Sequence, residues 1–443
     1  MKVLVLGSGA REHALAWKFA LSNKVQKVYL LPGNELVKNF EDNKKVEVVD
    51  NIPLKDFEGI KNFVKNQKID LTFVGPEAPL VDGIVDEFKK DNLNILGPDK
   101  YASQLEGSKA FAKNFMKKYN IPTADFYIFD NYELAKKFLE NYFDKNVFGN
   151  EKIEDFKDIY KRGYIVIKAS GLASGKGVLV TNSKKEALEF LEKIMVNKIF
   201  GKSGEVVVIE KCLDGIECSY FILADGENFV SFPTARDYKR AFDKDTGPNT
   251  GGMGGYSPNP IVDENLKEKI LQKIVKPTLK GLKKEGHPYK GVLYLGLMIT
   301  KNKEPYVLEY NVRFGDPECQ ILVRRVKEDF GDLFEKALKG NLPESIKESS
   351  KKALCIVLAS EGYPFAPCEI NLKDLEKKLK SLDKKDLEDI KIFFANKKGR
   401  ILSVTSLGDT FKEAREKAYK VVNKIALENT FYRKDIGEDV END

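Results

Sequence analysis

The chain has 443 residues, which is too long for one ordinary hydrophobic core and predicts two to four domains of roughly 100–200 residues each. Hydrophobic residues make up 42% and charged residues 32% of the sequence, which excludes a largely disordered chain. The net charge of +6 is spread along the chain and forms no basic tail, so we expect no nucleic-acid partner.

Cysteine and histidine usage excludes several kinds of site. The five cysteines include no C-x-x-C pair, so neither a zinc ribbon nor a disulfide scaffold is expected. With two histidines, His13 and His287, zinc chemistry and a Ser-His-Asp hydrolase are disfavoured. The sequence has no run of about 18 apolar residues and no signal-peptide pattern, so we predict a cytoplasmic protein without a membrane partner.

The first hundred residues alternate short apolar runs with amphipathic segments. This alternation predicts buried parallel strands joined by helices, and hence an open, doubly wound sheet. The predicted strands are 2–6, 27–31, 71–74 and 94–96, and the predicted helices are 12–22, 54–66 and 80–90.

The rest of the chain mixes both kinds of element. Strands are predicted at 165–168, 177–180, 205–210, 217–224, 291–299, 305–310, 353–359 and 400–407, with helices at 109–119, 264–285 and 411–428. Residues 141–161 are charged and aromatic without clear periodicity, and we predict a loop or a short helix there. The part from about residue 345 is predicted to be a separate α/β domain.

The turn after the first predicted strand, GSGARE at 7–12, begins like the dinucleotide-binding pattern G-x-G-x-x-G. Glu12 stands in place of the third glycine, and no acidic residue follows the second strand to hold a ribose hydroxyl. We therefore expect no bound NAD. Backbone N–H groups at a helix N-terminus can hold a phosphate, and Arg11 and His13 lie beside them. The alternative is a tight turn that binds nothing.

A second glycine-rich loop, SGLASGKG at 170–177, differs from a P-loop, because Ser170 and Gly177 stand where that pattern needs Gly and Ser or Thr. A predicted strand follows the loop, where a P-loop has a helix. A glycine-rich hairpin with Lys168 just before it is typical of a flap over a triphosphate. Glycines are common in hairpins, so a purely structural hairpin is the alternative.

The segment EYNVRFGDPE at 309–318 predicts a metal site. In a strand, Glu309 and Asn311 lie on the same face, about 7 Å apart. Two such oxygen ligands suit an Mg²⁺ ion that bridges phosphates. Arg313 continues that face with a fixed charge that can neutralise a developing anion. The alternative is the solvated end of an apolar strand.

The run DTGPNTGGMGG at 245–255 is unusually rich in glycine. Glycine costs about 0.5–1 kcal/mol per residue relative to Ala in regular structure. A plain linker is one explanation, but linkers seldom separate core strands. We predict a loop that closes over the active site.

These four segments, in this order and spacing, resemble the glycinamide ribonucleotide synthetase family of ATP-grasp ligases. The runs GPNTGGMG and RFGDPE are the most specific, and matching blocks span nearly the whole chain, at 7–13, 74–80, 105–111, 168–178, 213–219, 243–256, 296–298, 309–318 and 433–437.

The resemblance implies an α/β fold with α+β character in its ATP-grasp part. An N-terminal doubly wound parallel sheet is expected at 1–104, an ATP-grasp domain at 105–342 with a flap at about 124–200, and a C-terminal α/β domain at 343–443. It also implies the reaction of de novo purine biosynthesis in which glycine, 5-phosphoribosylamine and ATP with Mg²⁺ (or Mn²⁺) give glycinamide ribonucleotide, ADP and phosphate through glycyl phosphate. We expect a monomer.

The resemblance assigns site residues by position. It places Lys109, Lys168, Ser174, Gly175, Lys176, Gly177, Glu210, Leu213 and Glu217 at the nucleotide, with Glu210 and Leu213 at the adenine and Glu217 at the ribose. Glu309 and Asn311 bind the metal. The substrate residues are Gly9, Arg11, His13, Glu77 and Asp316, and the catalytic residues are Arg313, Lys168 and Asp237.

Several positions depart from the family pattern. Ser170 replaces a usual Asp, and ARDY at 235–238 stands where SQDH is expected. Residues 141–161 resemble an insertion, and the hairpin after Phe394 is short. Rival functions are an ATP-grasp ligase for another carboxylate, an NAD-dependent dehydrogenase and a non-catalytic nucleotide-binding module. Glu12 disfavours the dehydrogenase, and the metal pair disfavours the module.

Overall fold

The structure, a computed structural model, describes residues 1–173 and 175–442. Within those ranges the protein is a mixed α/β chain with a parallel sheet at its N-terminus, as predicted, and the sheets after it are antiparallel. No helix in the described ranges is long and apolar enough to cross a membrane.

The N-terminal part contains a five-stranded parallel sheet with the order β3-β2-β1-β4-β5. Its strands are β1 (Lys2–Gly7), β2 (Lys27–Pro32), β3 (Val46–Val48), β4 (Leu71–Val74) and β5 (Ile95–Leu96). Its helices are α1 (Ala10–Ala20), α2 (Glu35–Phe40), α3 (Phe57–Gln67), α4 (Glu77–Asp82) and α5 (Ile84–Lys90). The doubly wound sheet is confirmed, but the single helix predicted at 80–90 is wrong. Gly83 adopts a φ of +97° and separates α4 from α5.

Helices α6 (Gln104–Gly107) and α7 (Lys109–Lys118) lead into a small subdomain that we call the flap. Its elements are β6 (Phe126–Phe129), α8 (Tyr132–Lys145), β7 (Val147–Phe148), β8 (Glu151–Lys152), β9 (Tyr160–Ala169), β10 (Val178–Thr181), α9 (Lys184–Met195) and β11 (Val207–Leu213). The flap sheet has the order β10-β9-β11-β6 and is antiparallel. The predicted glycine hairpin is confirmed, with Val178 opposite Lys168. Residues 141–161 form the end of α8, the β7–β8 hairpin, the 3₁₀ turn Ile153–Asp155 and the start of β9.

The central part continues the chain with strands and helices. The strands are β12 (Ile216–Asp225), β13 (Phe229–Ser231), β14 (Arg236–Asp237), β15 (Arg240–Phe242), β16 (Thr246–Asn249), β17 (Gly254–Ser257), β18 (Lys290–Ile299) and β19 (Pro305–Asn311). The helices are α10 (Glu264–Ile270), α11 (Lys276–Lys284), α12 (Glu318–Arg325) and α13 (Phe330–Leu338), and the π-helical turn Leu271–Val275 joins α10 to α11. Four strands form an antiparallel sheet with the order β13-β12-β18-β19.

The C-terminal part contains β20 (Lys352–Ser360), α14 (Leu372–Lys380), β21 (Ile390–Phe394), β22 (Arg400–Gly408), α15 (Phe411–Ile425) and β23 (Thr430–Phe431). Its sheet has the order β14-β17-β20-β22-β21, with β23 also paired to β20. Two of these strands, β14 and β17, come from the central part of the sequence. The sheet therefore joins the central and C-terminal parts.

The glycine-rich run at 245–255 is a loop only in part, so that prediction is corrected. Residues 246–249 form β16 against β15, and β17 begins at Gly254. A Cβ atom at Gly255 would lie 2.4 Å from the carbonyl oxygen of Arg236 on the neighbouring strand. Glycine is needed here because two strands approach each other closely, and not because the segment is a mobile loop.

Candidate active site

The flap sheet and the central sheet meet at the predicted nucleotide site, which we call the cleft, and Lys168 joins its two sides. Lys168 is on β9, and its Nζ donates to the carbonyl oxygen of Leu308 on β19 at 3.1 Å. Glu309 follows Leu308 directly. The structure therefore brings the predicted flap lysine to the strand that carries the predicted metal ligands.

Buried charges line the flap side of this cleft. The Glu210 carboxylate lies between two ammonium groups, with Lys168 Nζ and Lys113 Nζ each at 3.0 Å. Lys109 donates its Nζ to the Gly171 carbonyl at 3.3 Å and its backbone N–H to the Ser170 carbonyl at 2.7 Å. Burial lowers the pKa of Lys109, although Glu309 opposes that shift. The lysines form a compact positive site suited to phosphate oxygens.

The predicted metal pair lies at the end of β19. Glu309 is opposite Gly296 and Asn311 is opposite Tyr294. Burial alone would raise the pKa of Glu309, but Lys239 and the cleft lysines lower it below its usual range, so the carboxylate is ionised at neutral pH. The Asn311 amide nitrogen is buried without a hydrogen-bond partner in the described structure. An ionised carboxylate beside an unsatisfied amide, whose O and N positions are interchangeable, fits a hard cation.

No group of three or more His, Cys, Asp or Glu side chains in the described ranges has the geometry of a metal cluster. Two protein ligands are consistent with Mg²⁺, which usually keeps water and phosphate oxygens in its coordination shell. The donor set at Glu309 and Asn311 therefore fits that ion.

Acidic residues surround Lys239 next to the metal pair. Lys239 Nζ lies 3.4 Å from Glu217 Oε2 and 3.8 Å from Glu309 Oε1. Burial raises the pKa of Asp237 to about 8, and the carboxylates of Glu318, Glu217 and Glu309 add to that effect while Lys239 opposes it. The Asp237 carboxyl is therefore easier to protonate than that of an ordinary aspartate.

The flap loop extends towards the C-terminal part. Lys176 Nζ donates to the Pro364 carbonyl at 3.1 Å, and a Cβ atom at Gly175 would lie 3.2 Å from the Thr250 carbonyl. Gly177 packs closely against Ala173, since an added Cβ would lie 2.6 Å from the Cβ of that residue. Ser174 is outside the described residues. The described part of the loop thus contacts the glycine-rich run as well as the C-terminal part.

Leu213 ends β11 and is buried in the hydrophobic core of the flap. It pairs with Tyr160 on β9. Its side chain therefore contributes to flap packing, and the predicted contact with adenine remains a prediction.

Arg313 is paired with two carboxylates. Its NH2 group donates to Glu106 Oε1 at 2.7 Å, and its Nε donates to Glu77 Oε2 at 3.3 Å. Burial would lower the pKa of Arg313, but Glu106 and Glu77 raise it above its usual value. Burial also raises the pKa of Glu106 to about 7. The guanidinium is thus held in a fixed orientation by Glu106, which the sequence did not single out.

Glu12 explains the altered glycine turn. Its Oε2 accepts from the Gly9 N–H at 2.7 Å, and its Oε1 accepts from Arg11 Nε at 2.6 Å. A Cβ atom at Gly7 would lie 2.4 Å from the Glu12 side chain, and one at Gly75 would lie 2.2 Å from it. The carboxylate therefore fills the space that a third glycine leaves open in a dinucleotide-binding turn.

Arg11 and His13 extend from α1 in different directions. Arg11 donates to the Phe314 carbonyl at 3.1 Å, close to Arg313. His13 is fully buried, with Nε2 2.6 Å from Glu41 Oε2 and Nδ1 accepting from the Phe394 N–H at 2.9 Å. Both ring nitrogens are engaged, so His13 links the N-terminal and C-terminal parts in this conformation.

Asp316 is held by the C-terminal part. Arg400 NH2 donates to Asp316 Oδ2 and Arg400 NH1 to the Asp316 carbonyl, both at 2.9 Å, and Gln320 donates to Oδ1 at 2.6 Å. A Cβ atom at Gly9 would lie 3.6 Å from the Asp316 carboxylate. Gly9, Glu77 and Asp316 thus lie near Arg11, with Arg313 beside them, whereas His13 makes its contacts elsewhere.

Four charged residues of the site were not predicted from the sequence, namely Lys113, Lys239, Glu106 and Arg400. Lys113 follows Lys109 by four residues on a predicted helix, which places both on one face and could have revealed it. Lys239 lies two residues after Asp237 and shares its side of an extended segment. Glu106 and Arg400 come to the site through contacts between segments that are distant in the sequence, and no local pattern indicates such contacts.

The architecture is that of the ATP-grasp proteins. A biotin carboxylase from Campylobacter jejuni superposes with a TM-score of 0.68 at 15% identity, over 97% of this chain and 92% of that one. Models of the phosphoribosylglycinamide synthetase N domain, ATP-grasp (A) domain and C domain match residues 1–106, 107–319 and 353–439.

The chain belongs to the phosphoribosylglycinamide synthetase family. A phosphoribosylamine–glycine ligase from Caldanaerobacter subterraneus subsp. tengcongensis is 44% identical over 441 residues, which cover 98% of this chain and 99% of that protein. The crystal structure of a phosphoribosylamine–glycine ligase from Thermotoga maritima has a TM-score of 0.75 at 35% identity, over 98% of this chain and all of that one. The predicted resemblance is confirmed.

Proposed function

We propose that this chain ligates glycine to 5-phosphoribosylamine in purine biosynthesis, consuming ATP and releasing ADP and phosphate, as a cytoplasmic monomer. The observation that carries the proposal is the match to ligases of this reaction over nearly the whole chain. A cleft lined with lysines and ending at Glu309 and Asn311 supports it further. We also propose domain boundaries at 104 and 342, with a flap at about 124–200 whose sheet is completed by β11.

The chemistry requires activation of the carboxylate. A glycine carboxylate does not react with an amine at neutral pH, because oxide is a very poor leaving group. One carboxylate oxygen attacks the γ-phosphorus of ATP, the bond to the bridging oxygen breaks, and ADP leaves. The substrate amine then attacks the carbonyl carbon of glycyl phosphate, phosphate leaves with the carbon–oxygen electrons, and the amine loses a proton.

The side chains of the site orient the substrates and neutralise their charge, because neither step needs a protein nucleophile. Lys109 and Lys168 bind phosphate oxygens, and Arg313 faces the charge that develops during transfer. Burial raises the pKa of Asp237, and we assign this carboxyl to the proton that the amine loses. Glu309 and Asn311 would hold Mg²⁺, which neutralises charge on the phosphate chain when bound.

The flap loop and the glycine-rich run close over the proposed site and exclude water, which would hydrolyse an acyl phosphate. Gly175 in the flap loop lies against Thr250, at the edge of the glycine-rich run. Lys176 contacts Pro364 in the C-terminal part. We infer that these contacts keep the flap over the cleft while the intermediate exists.

Measuring phosphate release with each substrate omitted in turn tests the function. We expect turnover only when MgATP, glycine and phosphoribosylamine are all present. Phosphate release that is independent of phosphoribosylamine and coupled to another carboxylate would instead support an ATP-grasp ligase with a different substrate.

Isotope transfer tests the intermediate. Glycine labelled with ¹⁸O in its carboxylate should pass one labelled oxygen to each phosphate formed, because that oxygen leaves with the phosphoryl group. Mass spectrometry of the products measures the transfer. Unlabelled phosphate, or label in AMP with release of pyrophosphate, would exclude glycyl phosphate even if the substrates are correct.

A further inference from the structure

The cleft contains one buried carboxylate between two buried ammonium groups. The side chains of Lys113 and Glu210 are each 2% exposed, and that of Lys168 is 8% exposed. Two positive charges against one negative charge leave one positive charge in excess. Because little water reaches these groups, the excess charge acts on nearby anions with little screening.

Lys113 also connects this cluster to the base of the flap. Its Nζ donates to Thr123 Oγ1 at 2.7 Å, and the Thr123 hydroxyl donates to the Val307 carbonyl at 2.7 Å. Thr123 precedes the first flap strand, and Val307 lies on β19 two residues before Glu309. One chain of hydrogen bonds therefore joins α7, the flap and the strand of the proposed metal ligand.

We propose that Lys113 is a positioning residue of the nucleotide site, which shares the Glu210 carboxylate with Lys168 and so leaves the Lys168 charge available to the triphosphate. Without Lys113, Glu210 and Lys168 would form a neutral pair, and the electrostatic attraction of the site for phosphate would weaken. The inference rests on the proposed function, because it assumes that this cleft takes ATP.

A purely structural role for Lys113 gives a different expectation. If Lys113 only satisfied Glu210 and Thr123, a second change at Glu210 would add to the damage of the first. If Lys113 balances charge, changing Glu210 to a neutral residue in the Lys113 variant restores an uncompensated charge on Lys168. The two roles are therefore distinguished by a double variant.

Binding of MgATP to the full chain, measured by titration calorimetry without glycine or phosphoribosylamine, tests the proposal. Lys113→Met should weaken binding roughly 10- to 100-fold, because Glu210 then neutralises Lys168 and weakens its charge-assisted contact with the triphosphate. Lys113→Arg, which keeps the charge, should stay within about threefold of the wild-type protein. Lys117→Met changes an exposed lysine on the same helix and should have no effect.

The double variant Lys113→Met/Glu210→Gln decides between the two roles, because Gln removes the charge of Glu210 but keeps the length and hydrogen-bonding groups that its predicted adenine contact would use. It should bind MgATP more tightly than Lys113→Met alone. Equal or weaker binding by the double variant, or wild-type affinity in Lys113→Met, would overturn the proposal. Thermal unfolding of each variant identifies any that do not fold. If Lys113→Met does not fold, Lys113→Arg is the test, because a more than tenfold loss of MgATP affinity in that variant would contradict the charge argument.

The pH dependence of binding gives an independent readout. Burial lowers the pKa of Lys113 to about 8, against the opposing charge of Glu210, with Lys168 and Asp125 as the other charged groups that act on it. Wild-type affinity should therefore fall as the pH rises through about 8, and this decline should be smaller in Lys113→Met, in which Asp237 still titrates there. A wild-type protein that binds MgATP but does not ligate glycine would refute the proposed function and leave this inference intact.

Discussion

Replacing Arg400 with Met should weaken both the fold and the substrate site. Arg400 donates from NH1 to the Gly251 carbonyl at 2.7 Å and from NH2 to Asp316 Oδ2 at 2.9 Å. Removing one partner of a buried ion pair costs about 3–5 kcal/mol. The side chains of Arg400 and Asp316 are 22% and 17% exposed, so solvent screening lowers this cost. We therefore expect the free energy of unfolding to fall by about 2–3 kcal/mol.

Urea unfolding of the full chain measures the stability change, and initial rates measure the substrate effect. The KM for phosphoribosylamine should rise because Asp316 loses the group that orients it, whereas the KM for ATP should change little. Arg400→Lys keeps the charge but not the forked geometry and should be intermediate. Adding Asp316→Asn to Arg400→Met should recover part of the stability, since no unpaired carboxylate remains. Unchanged unfolding and an unchanged KM in Arg400→Met would refute this account of the ion pair.

Two further predictions concern the metal pair and the link at His13. Glu309→Gln should lower kcat roughly 100-fold or more, because it removes a charged Mg²⁺ ligand. The circular dichroism spectrum should stay unchanged. Normal turnover at limiting Mg²⁺ would show that Glu309 and Asn311 are not the metal ligands. Burial lowers the pKa of His13 below 6.5, so its contribution to stability is complete above that pH and is lost as the pH falls towards the lowered value. Thermal unfolding between pH 5 and 8 should show this loss in the wild-type protein and less of it in His13→Gln.

The sequence was sufficient for features that depend on neighbouring residues. The apolar runs predicted the parallel strands, and the spacing of Glu309 and Asn311 placed both at the end of one strand, as the structure shows. The hairpin around residues 165–180 was likewise visible from its glycines and the flanking apolar residues. These signals are local, because side-chain direction in a strand or helix follows from spacing alone.

Features that depend on contacts between distant segments were missed. Glu106 and Arg313 are 207 residues apart, and Arg400 and Asp316 are 84 apart. No local pattern marks such pairs. The short strand β3 carries only three residues, of which none is fully buried, so its pattern is too weak to predict. Gly83 was inside a continuous amphipathic pattern, which concealed the break between α4 and α5.

The C-terminal sheet sets a limit on how this protein can be divided or recombined. Strand β17 pairs with β20 along residues 254–257, and β14 pairs with β17. A fragment that began at residue 343 would leave one edge of β20 without its partner, and such an edge promotes aggregation. An exchange of the C-terminal region between relatives would therefore have to include residues 236–257. The exchangeable unit is discontinuous in the gene, even though it is a single sheet in space.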